Sequence, residues 1–269
     1  MDDRGLTLVL NAAEGRLQIV LADGWELLCA QDWAAPGRGT ELLAPALERM
    51  FAGLRLRCSA LGRIACVRGP GSFTGVRLVL STAAALARAS GALLAGLDYM
   101  QALALGTRVV WEDAALQRIW VLQHARRDVA LAQVFAPGRD ETLPCAVSEL
   151  ELLTPEHCLQ RMREQALRGM RLWALGSALA RHAAFAKLPK LARYVPARFP
   201  QPLPEDLLLL ARHAEYGRRD IEALYVRPCD AVENLDGIAA RRGEDPALTR
   251  SRLELLLAAR PEPGCEGQT

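Results

Sequence analysis

The sequence predicts an α/β fold in which helices pack on a mixed sheet, and two patterns carry that prediction. Three short apolar segments, 6–10, 17–21 and 25–29, are separated by turn-forming residues, which is typical of a meander of antiparallel strands. A strand, a helix and another strand then follow within 64–97, and a crossover of this kind places its two strands parallel to each other. A sheet with both kinds of pairing, covered by helices, is therefore expected.

Each element of the first hundred residues has its own signal. The pair Asp23-Gly24 predicts a hairpin turn between the second and third strands. Residues 64–67 form the next predicted strand, 76–89 a long helix and 93–97 a further strand. A helix is also predicted over 41–54, where apolar residues recur every three or four positions, at Leu43, Leu47, Met50 and Leu54.

The rest of the sequence predicts further strands and helices, with weaker signals. Apolar runs at 119–123 and 129–135 flank a charged turn and predict a second hairpin. Thr154 is a suitable N-cap, and Pro155 suits the first position of a helix. The elements predicted from there onward are a helix to about Arg168, a strand over 171–175, a helix from Ser177, a helix over 205–216 and a helix over about 247–259.

Composition indicates an ordinary globular protein with more than one domain. The chain has 269 residues, of which 51% are hydrophobic, and a formal net charge of +2, too small to indicate nucleic-acid binding by the whole surface. No apolar run approaches the ~20 residues that cross a bilayer, and no signal peptide is recognisable. The seven cysteines include no C-x-x-C pair, so a cytoplasmic location is expected. Three regions are predicted: an N-terminal domain 1–104, a smaller α/β domain 105–230 and a partly helical or disordered tail 231–269.

A glycine-rich loop between the strand 64–67 and the helix 76–89 is the most informative motif. Strand, glycine turn and helix N-terminus together can receive an anion on free backbone N–H groups. The alternative is a tight turn with a capped helix, and neither common phosphate motif matches, because no lysine follows the last glycine and the spacing is G-x-G-x-x-x-G. The residues of this possible phosphate loop are Gly69, Gly71, Ser72, Thr74 and Gly75.

The sequence of this loop resembles a family signature. Residues 68–77, Arg-Gly-Pro-Gly-Ser-Phe-Thr-Gly-Val-Arg, precede a helix rich in small residues at 81–87, and together they resemble the bacterial TsaB (YeaZ) family. Weaker similarity extends over roughly 5–230. The resemblance implies two actin-like domains of the ASKHA, ribonuclease-H-like type. It also implies a non-catalytic subunit of the complex that transfers a threonylcarbamoyl group to the tRNA adenosine next to the anticodon.

The resemblance further implies partners and cofactors. The expected partners are a TsaD-like catalytic subunit and a TsaE-like ATPase, with a homodimer as a further possibility and tRNA bound through the complex. The chain itself is expected to bind no cofactor, whereas ATP and metal belong to the partner subunits. The helices 41–54 and 76–89 are expected to form the partner interface, since the second carries two opposite apolar stripes; burial within the chain's own core is the alternative. The interface residues proposed are Leu43, Leu47, Met50, Val79, Ala83 and Ala87.

No catalytic constellation of side chains is recognisable in the sequence. The four histidines are far apart and no H-x-x-x-H pair occurs, so no metal site is predicted. Actin-like ATPases end their first strand in an aspartate that helps to hold magnesium, whereas this chain has Asn11, a much weaker ligand. His124 stands where relatives often have aspartate. An independent actin-like ATPase or kinase that uses the loop 69–75 for phosphate is the alternative function.

A basic stretch at 168–198 contains seven Arg or Lys residues and no acidic residue. Interleaved aromatic residues would suit a surface that follows a phosphate backbone. Solvated helix faces in an arginine-rich protein explain the same pattern, so contact with tRNA is left open.

Overall fold

The strands form two mixed sheets. A computed structural model of the chain describes residues 5–108, 111, 116–126, 128–138, 143–190, 192–194, 201–226, 235–245 and 247–252. Contacts divide the chain into two units, Met1–Leu224 and Tyr225–Thr269. The strands, all in the first unit, are β1 (Leu6–Asn11), β2 (Arg16–Asp23), β3 (Glu26–Ala34), β4 (Leu61–Gly69), β5 (Leu93–Asp98), β6 (Gln117–Arg126), β7 (Val129–Ala136), β8 (Cys145–Ala146), β9 (Glu151–Leu153), β10 (Arg171–Leu175) and β11 (Arg193–Tyr194).

The first sheet has the order β3-β2-β1-β4-β5. The first three strands are antiparallel neighbours, and Asp23-Gly24 makes the predicted hairpin, with Asp23 paired to Glu26. Strands β1, β4 and β5 are parallel. Every residue of β1 is buried, as expected for a strand covered on both faces. The mixed sheet predicted from the sequence is therefore confirmed.

The second sheet has the order β11-β10-β6-β7-β8, and β9 also pairs with β7. Strands β6 and β7 form the predicted antiparallel hairpin, whereas β10 lies parallel to β6 and to β11. The short strands β8, β9 and β11 had no sequence signal, because two or three residues show no periodicity.

The helices cover the sheets and complete three hydrophobic clusters. One cluster joins α1 and α2 to the first sheet, a second contains α3 and α6 together with residues of both sheets, and a third joins α4 to the second sheet. The first-unit helices are α1 (Gly39–Gly53), α2 (Phe73–Ser90), α3 (Tyr99–Leu105), α4 (Pro155–Leu167), α5 (Ala178–Arg181) and α6 (Pro204–Arg212); the second unit contains α7 (Leu235–Arg241) and helical residues 247–252. In the part of the chain that the structure describes, no helix is long and apolar enough to cross a bilayer.

Several helix boundaries differ from the prediction. The long helix α2 begins at Phe73 rather than Val76, because Ser72 caps it. The helix predicted from Ser177 has four residues and is followed by a 3-10 turn. The helix predicted to end at Tyr216 ends at Arg212. Helix α3 was missed, since its seven residues are almost all apolar and show no polar face. Residues 253–259 of the last predicted helix lie outside the described residues.

The proposed interface side chains lie in the chain's own core. Leu43, Leu47 and Met50 of α1 are buried against the first sheet, and Val79 and Ala83 of α2 lie in the same cluster. Of the six, only Ala87 is partly exposed. The helix surface open to a partner is therefore made of other side chains, and the inner stripe serves the internal core.

We expect Leu43→Ala to lower the free energy of unfolding of the isolated chain by about 2–5 kcal/mol, because it deletes buried methyl groups and leaves a cavity. Leu43 is 2% exposed. Urea denaturation followed by circular dichroism measures the change. The control is Glu48→Ala on the exposed side of the same helix, which should shift stability by no more than about 0.5 kcal/mol. Equal stability of the two variants would contradict the core position of Leu43.

Candidate functional site

The glycine loop connects the end of β4 to the start of α2. Gly69 has a φ of +121°, a conformation that favours glycine, and a Cβ there would lie 2.8 Å from the carbonyl oxygen of Leu224. Ser72 is the N-cap of α2, and its Oγ accepts a hydrogen bond from the N–H of Gly75 at 3.3 Å. The predicted cap is thus present, and Thr74 lies exposed in the first turn.

The loop packs directly on the turn that joins β1 to β2. The N–H of Ser72 donates to the carbonyl oxygen of Ala13 at 2.5 Å. A Cβ on Gly71 would lie 2.5 Å from the same oxygen, and a Cβ on Gly75 would lie 2.1 Å from the carbonyl oxygen of Ala12. Gly71 and Gly75 therefore allow two backbone segments to approach each other closely. Unlike Gly69, neither of them needs to be glycine because of a positive φ.

This packing bears on the phosphate-loop hypothesis. A phosphate needs free N–H groups at the helix N-terminus. The N–H groups of Ser72 and Gly75 already bond within the chain, and the Ala12 and Ala13 carbonyl oxygens, which would repel an anion, lie against the loop. Phosphate binding by residues 69–75 stays a prediction, and the geometry favours the structural role.

Asn11, at the end of β1, uses its amide to hold the neighbouring turn. The side chain is 0% exposed; its Nδ2 donates to Gln18 Oε1 at 2.7 Å, and its Oδ1 accepts from the N–H of Ala13 at 3.0 Å. Gln18 in turn donates to the carbonyl oxygen of Pro202 at 2.9 Å. A carboxylate could not make the bond to Gln18 Oε1, so asparagine suits this position structurally.

Glu14 lies in the same turn, at the centre of a group of polar side chains that joins both sheets. Its Oε1 lies 2.5 Å from Ser177 Oγ, at the end of β10, and its Oε2 lies 3.1 Å from the hydroxyl of Tyr99, at the start of α3. Gln123 of β6 also bonds to the carboxyl group, and Arg181 is near enough to act electrostatically. The Tyr99 hydroxyl also lies 2.7 Å from Gln201 Oε1. We name Glu14, Tyr99, Gln123, Ser177 and Gln201 the Glu14 cluster.

Burial raises the pKa of Glu14 above its ordinary value. The bonds from Ser177, Tyr99 and Gln123 and the charge of Arg181 act in the opposite direction, but desolvation is the larger effect. Burial and the adjacent Glu14 carboxyl group also raise the pKa of Tyr99 well above its usual range. Glu14 in this cluster therefore keeps its proton to a higher pH than a glutamate in water does.

His124 borders this cluster. Its backbone N–H donates to Ser177 Oγ at 2.9 Å, and its ring Nδ1 lies 3.1 Å from Nε2 of the buried His182. The ring of His124 therefore bonds to another imidazole, and Ser177 contacts its backbone. This geometry provides no histidine base for the hydroxyl of Ser177.

The sequence reasoning identified Asn11 and His124 but missed Glu14, Tyr99 and Ser177. The Glu14–Ser177 contact joins residues 163 positions apart, and each lies in an unremarkable turn. The one usable signal is that Glu14 is an acidic residue three positions after Asn11, the last residue of β1.

Other predicted features are partly described. Among the described residues, no three His, Cys, Asp or Glu side chains lie close enough to hold a metal ion. In the basic stretch, Arg168, Arg171 and Arg181 are exposed. The Cζ atom of Arg193 lies 5.8 Å from the centroid of the Trp173 ring. Arg198 and the side chains of Lys187 and Lys190 lie outside the described residues, so contact with tRNA stays a hypothesis.

Comparison with known proteins agrees with the resemblance seen in the loop. Residues 38–137, from just before α1 to just after β7, match the family model described as TsaD, tRNA N6-adenosine threonylcarbamoyltransferase. The structure superposes on YeaZ from Pseudomonas aeruginosa with a TM-score of 0.62 and 18% identity, over 82% of this chain and 100% of that chain. The chain has the YeaZ fold. The predicted resemblance to the TsaB family is confirmed.

A second structure agrees. An uncharacterized Pseudomonas aeruginosa protein with similarity to peptidase YEAZ gives the same TM-score of 0.62 and 18% identity, over 83% of this chain and 100% of that chain. No curated protein matches the sequence significantly. The predicted α/β class, with mixed sheets and packed helices, is confirmed.

We expect Ser72→Ala to lower the free energy of unfolding by about 1 kcal/mol, because it removes the N-cap acceptor and leaves the backbone unchanged. Thermal melting measures the shift, with Ser81→Ala, an exposed serine inside the same helix, as the matched control. Loss of nucleotide binding with an unshifted melting curve would instead support the phosphate-loop hypothesis.

Proposed function

We propose that this chain is a non-catalytic subunit of the complex that transfers a threonylcarbamoyl group to the tRNA adenosine beside the anticodon. The observation that carries the proposal is the match of residues 38–137 to the threonylcarbamoyltransferase family model. The matched region contains α1, the glycine loop and α2, so it includes the loop whose sequence resembles the TsaB signature. The YeaZ fold over most of the chain agrees with it.

The geometry supports a role without chemistry of its own. The amide of Asn11 is buried and committed to the turn, so it is not placed to bind magnesium. The loop that would hold a phosphate uses two of its N–H groups internally. The alternative function is that of an independent actin-like ATPase or kinase. The geometry of Asn11 and of the glycine loop does not support it.

The outer faces of α1 and α2 are the proposed partner surface. On α2, Ser81, Ala85 and Ala89 are exposed, and on α1 Ala44 and Ala52 are exposed. Small side chains allow a second pair of helices to approach closely. We propose that a TsaD-like catalytic subunit docks here or, in its absence, a second copy of the chain. A TsaE-like ATPase and tRNA would join through that complex, with ATP and metal bound by the partners.

The purified chain should show no tRNA modification and no ATP hydrolysis above background. Mixed with a TsaD-like subunit, a TsaE-like ATPase, a threonylcarbamoyl donor, ATP and tRNA, it should make modification possible, because it organises the catalytic partner. Mass spectrometry of digested tRNA detects the product. The control omits only this chain. ATP turnover by the isolated chain that survives repurification would overturn the scaffold role.

The variant Ala85→Arg should weaken partner binding strongly, because an unpaired charge buried in an interface costs several kcal/mol. Ala85 is exposed, so the isolated chain should stay folded, whereas arginine at the buried Ala83 would disrupt the core. Analytical ultracentrifugation of the mixed subunits measures binding. Ala183→Arg, at an exposed site beside the second sheet, is the matched control. Unchanged assembly by a folded Ala85→Arg variant would exclude this face.

A further inference from the structure

The Glu14 cluster connects segments that are distant in the sequence. Glu14 belongs to the β1–β2 turn of the first sheet, whereas Gln123 and Ser177 belong to the second sheet and the turn that follows it. Tyr99 begins α3, and its hydroxyl also lies 2.7 Å from Oε1 of Gln201, in the segment before α6. The Glu14 carboxyl group therefore links the first sheet to the second sheet and to the start of α3. Tyr99 extends these contacts to the segment before α6.

The arrangement of donors and acceptors favours a protonated carboxyl group. Ser177 Oγ accepts the N–H of His124 and is left with its own hydrogen to donate to Glu14 Oε1. The Tyr99 hydroxyl has one hydrogen but faces two acceptors, Gln201 Oε1 at 2.7 Å and Glu14 Oε2 at 3.1 Å. If Tyr99 donates to the nearer one, the contact with Glu14 Oε2 is a hydrogen bond only when that oxygen carries a proton and donates.

We propose that Glu14 is a proton-dependent latch, which holds the two sheets together when its carboxyl group is protonated and loosens when the proton is lost. On ionisation the one hydrogen of Tyr99 must serve two acceptors, Gln201 Oε1 and Glu14 Oε2, so one of them loses its bond, and a buried charge replaces a neutral donor. The raised pKa of Glu14 agrees with this geometry.

Other charged or titratable groups surround the latch. Among the described residues, Tyr99 faces it from α3, Arg181 from α5 and His124 from β6, while Arg16 of β2 acts on Tyr99. The pKa of Tyr99 is raised well above 10, so the tyrosine stays neutral through the pH range in which a carboxyl group titrates. Glu14 is thus the carboxyl group whose proton changes the bonding of the cluster.

The latch also contacts the glycine loop. Ala13, the residue before Glu14, accepts the N–H of Ser72, and Gln123 donates to the carbonyl oxygen of Pro70 at 3.3 Å. A movement of the turn would therefore reach the N-terminus of α2. The latch is a property of the isolated chain and does not depend on the proposed function.

The sign of the pH dependence follows from the raised pKa. Native Glu14 binds its proton more tightly than the unfolded chain does, so its contribution to stability is fully present below the unfolded pKa of about 4.3 and is lost as pH rises through the native pKa. The equilibrium constant for unfolding should rise by about tenfold for each unit by which the pKa is raised.

The test compares the native chain with Glu14→Gln, in which the amide accepts from Ser177 and donates to Tyr99 as the protonated acid would. Unfolding is measured in urea from about pH 4 to about pH 8, the range over which a carboxyl group with a raised pKa titrates. The difference between the two proteins isolates Glu14 from other carboxyl groups, such as Asp206, whose pKa burial also raises. The native chain should lose stability relative to Glu14→Gln as pH rises.

Hydrogen exchange gives a second readout that a merely structural change would not produce. At the higher pH, peptides that contain the β1–β2 turn and residues 176–178 should exchange faster in the native chain than in Glu14→Gln, whereas at the lower pH they should exchange equally. Glu48→Gln, on the exposed side of α1, is the control and should match the native chain at every pH. A pH-independent difference between native and Glu14→Gln proteins, or none at all, would overturn the latch.

Discussion

The contact between two backbone segments, the β1–β2 turn and the glycine loop, determines the arrangement of the rest of the site. The carbonyl oxygens of Ala12 and Ala13 lie where any Cβ on Gly75 or Gly71 would clash, and one of them accepts the N–H of Ser72. Because Ser72 also caps α2, this contact fixes where an eighteen-residue helix begins on the sheet. The helix then presents a buried stripe to the core and small exposed residues to the outside.

The same turn is held by a pair of buried amide side chains. Asn11 and Gln18 satisfy each other in the buried interior of the sheet, and Asn11 also accepts the N–H of Ala13. Buried amides bonded in this way stabilise the turn that the glycine loop packs on. An aspartate would leave Gln18 Oε1 without its donor, which costs about 1–3 kcal/mol for a buried polar group. An amide at position 11 therefore suits this buried turn, where a carboxylate could not donate to Gln18.

Glu14 adds a second constraint to that turn. Its neighbours on one side, Asn11 and Ala13, bond within the first sheet and to the loop, whereas its own carboxyl group reaches Ser177 beyond the second sheet. A short segment therefore contacts both halves of the first unit and the start of α2. Any change in the bonding of Glu14 acts on elements that the sequence keeps far apart.

Features that depend on local patterns could be predicted from the sequence. The hairpin at Asp23-Gly24, the crossover from β4 through α2 to β5 and the Ser72 cap all depend on residues within a few positions of one another, and each was predicted. The sequence of the loop also showed the resemblance to the TsaB family, because a long run of matching residues can be recognised without a structure.

Contacts between distant residues, in contrast, depend on how the whole chain folds. The stripe of Leu43, Val79 and Ala83 has the same periodicity whether it faces a partner or the chain's own sheet, and only the fold shows that it is core. The glycines at 71 and 75 permit either a phosphate or a carbonyl oxygen, and the fold places a carbonyl there. The Glu14 cluster could not be predicted, because its members are scattered from the first turn to the start of α6, and hydrogen bonding between distant segments leaves no periodic pattern in a sequence.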